Sequence, residues 1–212
     1  MVNLILDCSC GMSVYVVTEN KIFSKIDSTQ NKHSDEILLV VDELLKQAKL
    51  TTSDLTNICV CVGPGSFTGV RVAISLAKGL AIGANLKVFT LSNFDIFDLP
   101  NQTNACFVLE GFSCFVYARF FDGDIVKDEC IDLSQLKNLL SEQSREVFVS
   151  TEKMKHVLDV NGIGSTIVGC NIVDAFSKAI KESRDVKLNQ IFPVYLRASQ
   201  AEIEREKKII NG

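Results

Sequence analysis

The nine residues Gly63-Pro64-Gly65-Ser66-Phe67-Thr68-Gly69-Val70-Arg71 constrain this chain more than any other stretch. They follow a strand-like apolar run, Ile58-Cys59-Val60-Cys61-Val62, and open a helix-like run that ends near Ala84. Strand, glycine-rich turn and helix is the layout that aims backbone N–H groups at an anion. It is also a layout in which small residues let two backbones come close. A Walker loop carries Lys-Ser or Lys-Thr after its last glycine, whereas Val70-Arg71 follows Gly69. A dinucleotide loop needs a G-x-G-x-x-G register. Gly63 and Gly65 fit it, but Thr68 stands where the third glycine belongs, and Gly69 arrives one residue late. Turn geometry and close helix packing are therefore the leading expectation. A phosphate held by backbone amides, at Gly63 and Gly65 with Asp7 and Ser9, is the alternative.

Upstream, residues 2–8, 12–18 and 21–26 read as three strands joined by tight turns, an antiparallel meander. Ser34 is a candidate N-cap with Asp35 and Glu36 in the first turn. Ile37, Leu38, Val41, Leu44, Leu45 and Ala48 are assigned to one helical face, and Leu39 falls outside it. After Gly69 the second helix repeats a small residue every fourth position, at Ala73, Ala77 and Ala81, with larger apolar residues around that ridge. Such a helix is expected to be buried deep in its own domain or covered by a partner. A strand at 87–91 and a short helix at 92–99 complete a βββαβαβ order, which implies an α/β fold with a mixed sheet and right-handed crossovers.

Pro100-Asn101-Gln102-Thr103-Asn104 is the clearest boundary signal. It divides the chain into a first lobe, 1–100, a smaller α/β lobe, 101–192, and a tail, 193–212, whose last helix starts with the capping box Ser199-Gln200-Ala201-Glu202. The smaller lobe is a candidate decayed copy of the first.

Apolar residues at 47% and charged ones at 23% fit a folded globular chain. The net charge of −4 and the scattered arginines leave no basic stripe, which argues against tight unaided nucleic-acid binding. The N-terminus reads as a strand rather than a signal peptide, and Lys78, Asn85 and Lys87 interrupt the longest apolar stretch, so no membrane role and a cytosolic location are expected. The eight cysteines lack paired CxxC spacing and read as small buried side chains rather than zinc ligands. His33 and His156 are the only histidines, and they form no HxxxH pair. His33 reads as an interface or capping residue, and Glu110, Asp122 and Asp124 as solvated turn carboxylates. Asp7-Cys8-Ser9-Cys10-Gly11 reads first as a hairpin entry, and second as the acid and small-residue turn of a Mg-phosphate pocket.

The 63–71 stretch also resembles the signature of the TsaB family, the partner subunit in bacterial threonylcarbamoyladenosine tRNA modification. Ile5-Leu6-Asp7-Cys8-Ser9, the run from His33-Ser34 to Glu43-Leu44-Leu45, Lys78-Gly79-Leu80-Ala81 and Pro193-Val194-Tyr195-Leu196-Arg197 support it. The resemblance is dense over 1–97, thin over 105–190, and returns at 193–197. It implies an actin-like ATPase (ASKHA, ribonuclease H-like) fold of two related lobes. It also implies a subunit that is not itself the catalyst and has no cofactor of its own, ATP or ADP and metal belonging to the complex with TsaD and TsaE. The catalytic relative TsaD holds its metal with an HxxxH pair, and the two corresponding positions here are Asn93 and Phe97. In the family the first two helices pack against those of TsaD, with tRNA met only indirectly. The resemblance thus makes His33, Leu39, Ser66, Phe67, Gly69, Arg71, Ala73 and Ala77 candidate partner-interface residues, and a homodimer through the same ridge is expected when the partner is absent. Glu110-Gly111-Phe112 stands where members carry an Asp-Ala-Arg-like step, so no arginine role carries over there. The competing reading is a stand-alone actin-like-fold kinase or ATPase that uses Asp7 and the 63–69 loop around Mg-ATP.

Overall fold

The computed structural model describes residues 1–27, 33–99 and 103–196, with side chains in the first helix described from Glu36 onward. Two compact units emerge, one formed by Met1–Leu99 with Val168–Val194, the other centred on the stretch from Pro100 to Ile167.

The first unit begins with β1 (Asn3–Asp7), β2 (Met12–Val17), β3 (Ile22–Asp27), α1 (His33–Ala48), β4 (Asn57–Cys61), α2 (Phe67–Ala84) and β5 (Lys87–Leu91). Its sheet order is β3-β2-β1-β4-β5, antiparallel through the meander and parallel from β1 to β4 to β5. β1 and β4 are apolar on both faces because both faces are covered. Leu4, Leu6, Ile58 and Val60 join the core under α1 and α2, while Ile5, Cys59 and Cys61 join a second core with Phe89 and Phe176. Each large aliphatic side chain buried this way stabilises the fold by about 1.5–3 kcal/mol. Truncation of a fully covered one such as Leu44 costs about 2–5 kcal/mol.

The second unit holds β6 (Ala105–Glu110), β7 (Phe115–Asp122), β8 (Ile125–Asp132), α3 (Leu133–Glu142), β9 (Glu146–Val149), α4 (Glu152–Val160) and β10 (Thr166–Ile167). Its sheet order, β10-β9-β6-β7-β8, repeats the first unit: an antiparallel meander, then two parallel strands reached through helices. The helices are shorter and the last strand has two residues, so the copy is reduced in size but equal in topology.

Four details differ from the sequence-based expectations. The helix α5 (Ile172–Lys181) was expected in the smaller lobe, yet it belongs to the first unit, where Ile172, Phe176 and Ala179 cover the second core. An amphipathic helix does not encode which sheet it will cover. On α1, Leu38 is exposed and Val40 is buried, because the core stripe runs 37, 40, 41, 44 and 45. Residues 93–96 form a turn rather than part of a helix, with Asp95 accepting from the Ser92 backbone and hydroxyl. Four cysteines are buried, but Cys10, Cys114 and Cys170 are exposed. The Ser34 cap, the residues 100–102 of the boundary signal, Arg197 and the helix expected from Ser199 lie outside what is described.

Candidate functional site

The glycine-rich loop sits on the end of β1. Ser66 caps α2, its hydroxyl accepting from the Gly69 N–H at 3.2 Å, and its own N–H donates to the Ser9 carbonyl at 2.7 Å. A Cβ placed on Gly69 would lie 2.0 Å from the Cys8 carbonyl oxygen, and one on Gly65 would lie 2.5 Å from that of Ser9. Gly63 has φ +94°, a conformation side chains disfavour. Each of these glycines therefore has a local reason: two admit the backbone of β1, and the third turns the chain.

Asn93, remote in sequence, closes the arrangement. Its backbone N–H donates to the Gly63 carbonyl at 2.8 Å, and its amide Nδ2 donates to the Pro64 carbonyl at 2.9 Å and to the Ser9 hydroxyl. The Ser9 hydroxyl and N–H donate to Asp7 Oδ1 at 2.6 and 2.9 Å. Burial pushes the Asp7 carboxyl up, against the pull of those two hydrogen bonds. The structure thus brings Asp7, Ser9, Gly63 and Gly65 together as the phosphate alternative requires. Asp7 and Ser9 are bonded to each other, the Ser9 hydroxyl and the Gly63 and Pro64 carbonyls are bonded to Asn93, and Asn93 Oδ1 is buried with no hydrogen-bond partner. Sequence reasoning placed Asn93 only as a missing metal ligand. Its role as a clamp has no local signal, being 84 residues from Ser9.

The partner-interface candidates separate into two groups. Gly69, Ala73 and Ala77 are buried in their own unit, with Ala81, under the sheet-facing side of α2. The expectation that this ridge meets a partner is corrected: small residues there let α2 approach β1 and β4. Leu39 (63% exposed), Ser66 and Arg71 do face outward, Phe67 is half-buried beneath the Arg71 guanidinium at 4.7 Å, and the His33 side chain lies outside the described residues. The same helix has a second small-residue stripe that sequence reasoning passed over. Ser75, Gly79 and Gly83 are exposed, with Ile82 beside them and Val72, Leu76 and Leu80 half-buried at the flanks. Nothing lies within 4 Å of a Cβ built on Gly79 or Gly83. By length and composition α2 is apolar enough to cross a membrane, yet six of its residues are buried in the unit's core.

Other titratable groups serve structure. Glu110 pairs with Lys153, Asp122 with Arg145 at 2.6 Å, and Arg119 with Asp128. A Cβ on Gly111 would lie 2.1 Å from the Phe115 carbonyl, so this hairpin has no room for the alanine of the family's step. Phe97 bridges to Cys170, and among the described residues no group of three His, Cys, Asp or Glu side chains is placed to hold a metal.

Comparison with known proteins bears on this geometry. A family model, TsaD, described as tRNA N6-adenosine threonylcarbamoyltransferase, matches residues 17–119. The Haemophilus influenzae tRNA threonylcarbamoyladenosine biosynthesis protein TsaB is 32% identical over 119 residues, covering 54% of this chain and 50% of that one. Bacillus subtilis TsaB is 25% identical over 219 residues, covering 92% of this chain and 95% of that protein. These matches support a TsaB/YeaZ family protein. Pseudomonas aeruginosa YeaZ has the same fold, with a TM-score of 0.69 at 20% identity, covering 92% of this chain and 99% of that one. That two-lobed, mixed-sheet architecture is the actin-like fold. The chain spans 40 to 50% of the length of the first curated TsaB relatives it matches, those of Buchnera aphidicola and H. influenzae.

Proposed function

We propose that this chain is a non-catalytic subunit that binds and activates TsaD, together with TsaE, for threonylcarbamoyl transfer to the adenosine beside the anticodon. One observation carries the reading. The outer face of α2 offers Ser75, Gly79 and Gly83 between half-buried Val72, Leu76 and Leu80, a surface onto which a partner helix can pack closely. Exposed Leu38 and Leu39 on α1 add apolar area. The original ridge at Gly69, Ala73 and Ala77 supports this role from inside, by seating α2 against its sheet. In this reading ATP or ADP and metal belong to the partners, tRNA is met through the complex, and the work is done in the cytosol.

The hydrogen bonds that join Asp7, Ser9, Asn93 and the Pro64 carbonyl support a structural role for the loop. The stand-alone kinase reading has the juxtaposition of Asp7, Ser9, Gly63 and Gly65 in its favour, while burial of the Asp7 carboxyl, which raises its pKa, counts against it. The test is copurification with the cognate TsaD. Gly79→Arg fills open space on the outer face, so the variant folds but loses the partner. Retained wild-type affinity overturns the placement of the interface.

A further inference from the structure

In the second unit a cavity of about 540 Å³ lies between β8 and α3, and Glu129, Ile131, Gln135, Asn138, Leu139 and Glu142 line it. That volume falls within the range of about 300–1,000 Å³ usual for binding sites. The groove follows from the local chain path. β8 ends at Asp132, whose carboxylate accepts from the Ser134 N–H at 2.8 Å and starts α3 with no intervening loop. The helix therefore packs against the strand that precedes it, seated on the sheet by fully buried Leu136 with Leu133 and Leu140 beside it. Positions 135, 138, 139 and 142 then share one helix face and form the second wall of the groove.

β8 is also the edge of its sheet: among the described residues no strand pairs with its outer side. An open edge is a template for another strand unless something blunts it. Little blunts this one. It is eight residues long, contains no proline, and its register with β7 runs without a bulge from Phe115 opposite Asp132 to Asp122 opposite Ile125. Its lysine, Lys127, is paired with Glu129. The Leu133 N–H donates to the Cys114 carbonyl at 3.0 Å, and bonded and non-bonded pairs alternate from there. The bonded pairs are thus Val116 with Ile131, Ala118 with Glu129, Phe120 with Lys127 and Asp122 with Ile125. The two-residue turn Gly123-Asp124, closed by Asp122 and Ile125, agrees. The residues between, Val126 and Asp128 among them, therefore turn their backbone N–H and C=O groups to the open edge.

The two observations meet in one place. A strand edge alone offers hydrogen bonds to any extended chain, and a cavity alone gives no direction. Side by side they form a strand-and-helix groove that takes an extended peptide as a further strand, with side chains of one parity directed into the cavity. We propose that this groove docks an extended, basic segment of a partner protein. The segment pairs with the outer edge of β8, sets an apolar side chain on Ile131 and Leu139, and sets a lysine or arginine on Glu142.

The lining states the occupant's chemistry. It holds two carboxylates and no base. Glu129 already has Lys127, whereas Glu142 has no ion pair among the described residues. Gln135 and Asn138 add amides that make no side-chain hydrogen bond among the described residues. Ile131 is 7% and Leu139 42% exposed, so the apolar part is a buried floor with one open wall. An acidic occupant would set like charges against each other, and a wholly apolar one would leave these polar groups without partners. The groove lies wholly in the second unit and does not draw on the α2 face proposed for TsaD.

The experiment is an NMR titration of the isotope-labelled full chain with the capped peptide Arg-Thr-Ile-Thr-Lys-Thr-Val, whose basic and apolar side chains share one face of a strand. Saturable shifts are expected at the β8 amides and at Gln135, Asn138 and Leu139 of α3. No saturation up to about 1 mM peptide, or shifts centred on Gly79 and Gly83 of α2, overturns the proposal. A peptide with glutamate at both basic positions binds about tenfold more weakly, and Glu142→Lys reverses that preference; an unchanged preference overturns the charge assignment and the proposal with it. N-methylation of alternate peptide amides separates strand addition from charge attraction alone. Methylating one alternate set abolishes binding and methylating the other leaves it within about twofold, because only one set faces β8. Equal effects of the two sets overturn the proposal.

Discussion

Replacing Gly69 by alanine adds one methyl group, and its effect follows from one distance. The new Cβ would lie 2.0 Å from the Cys8 carbonyl oxygen, a separation that real Cβ atoms do not reach, so the start of α2 and the end of β1 must part by about 1 Å. Neither side yields easily. The Cys8 carbonyl belongs to backbone at the end of a central strand, and α2 is seated by Ala73 and Ala77, both fully buried. Overpacking of this kind costs about 1–3 kcal/mol, and lengthening the nearby Ser66 N–H bond to Ser9 costs about 1 kcal/mol more. A loss of about 3 kcal/mol lowers the melting temperature of a chain this size by roughly 6–12 °C. Gly79→Ala, on the same helix, is the internal control. Its Cβ meets nothing within 4 Å, and replacing glycine in a helix interior stabilises by about 0.5–1 kcal/mol. Urea unfolding followed by circular dichroism measures both. Opposite signs are expected, and a Gly69→Ala variant within about 0.5 kcal/mol of wild type would refute the packing argument.

Three further outcomes are expected. The Asp7 carboxyl is held above its ordinary value of 3.8 by burial, so the folded state keeps its proton longer than the unfolded chain. That contribution is complete below the ordinary value and is lost as pH rises through the folded pKa. Over this window the wild type therefore loses stability relative to Asp7→Asn, and parallel stability-versus-pH curves would sink the assignment. Asn93→Ala removes donors to the Pro64 carbonyl and the Ser9 hydroxyl and costs about 2 kcal/mol in the same unfolding assay; an unchanged midpoint would show that the loop holds itself. Burial pushes Cys8 and Cys106 up to about 12 and also raises Cys59 and Cys61, so a thiol reagent at neutral pH should label exposed Cys10 and Cys114, label exposed Cys170 more slowly because partial burial raises that thiol too, and spare the four buried ones in the native protein. Peptide mapping reads the pattern, and early labelling of Cys59 would contradict the described core.

Local periodicity carried much of the first sheet. The meander and the two parallel crossovers are legible because β1 and β4 are short apolar runs and α1 has a defined stripe, although Leu38 and Val40 exchanged places at its edge. Periodicity is silent on direction. Gly69, Ala73 and Ala77 repeat every fourth residue, and so do Ser75, Gly79 and Gly83, yet one stripe faces the protein's own sheet and the other faces out. The difference lies in what surrounds the helix in space. Long-range closure was equally hidden: α5 returns to the first unit across an intervening lobe, and Asn93 reaches Ser9 and Pro64 through a turn that read as a short helix. That β3 stands at a sheet edge among the described residues, too, shows only once the strand order is known.

The central claim is that this chain activates a catalyst without being one. Threonylcarbamoyl transfer to a cognate tRNA, read as threonylcarbamoyladenosine in the digested product, tests it with three samples: this protein alone, its TsaD with TsaE, and all together. Activity is expected only where TsaD is present, rising when this protein is added and failing to rise with Gly79→Arg. Transfer by the lone protein, or an activity of TsaD and TsaE indifferent to its addition, would contradict the account.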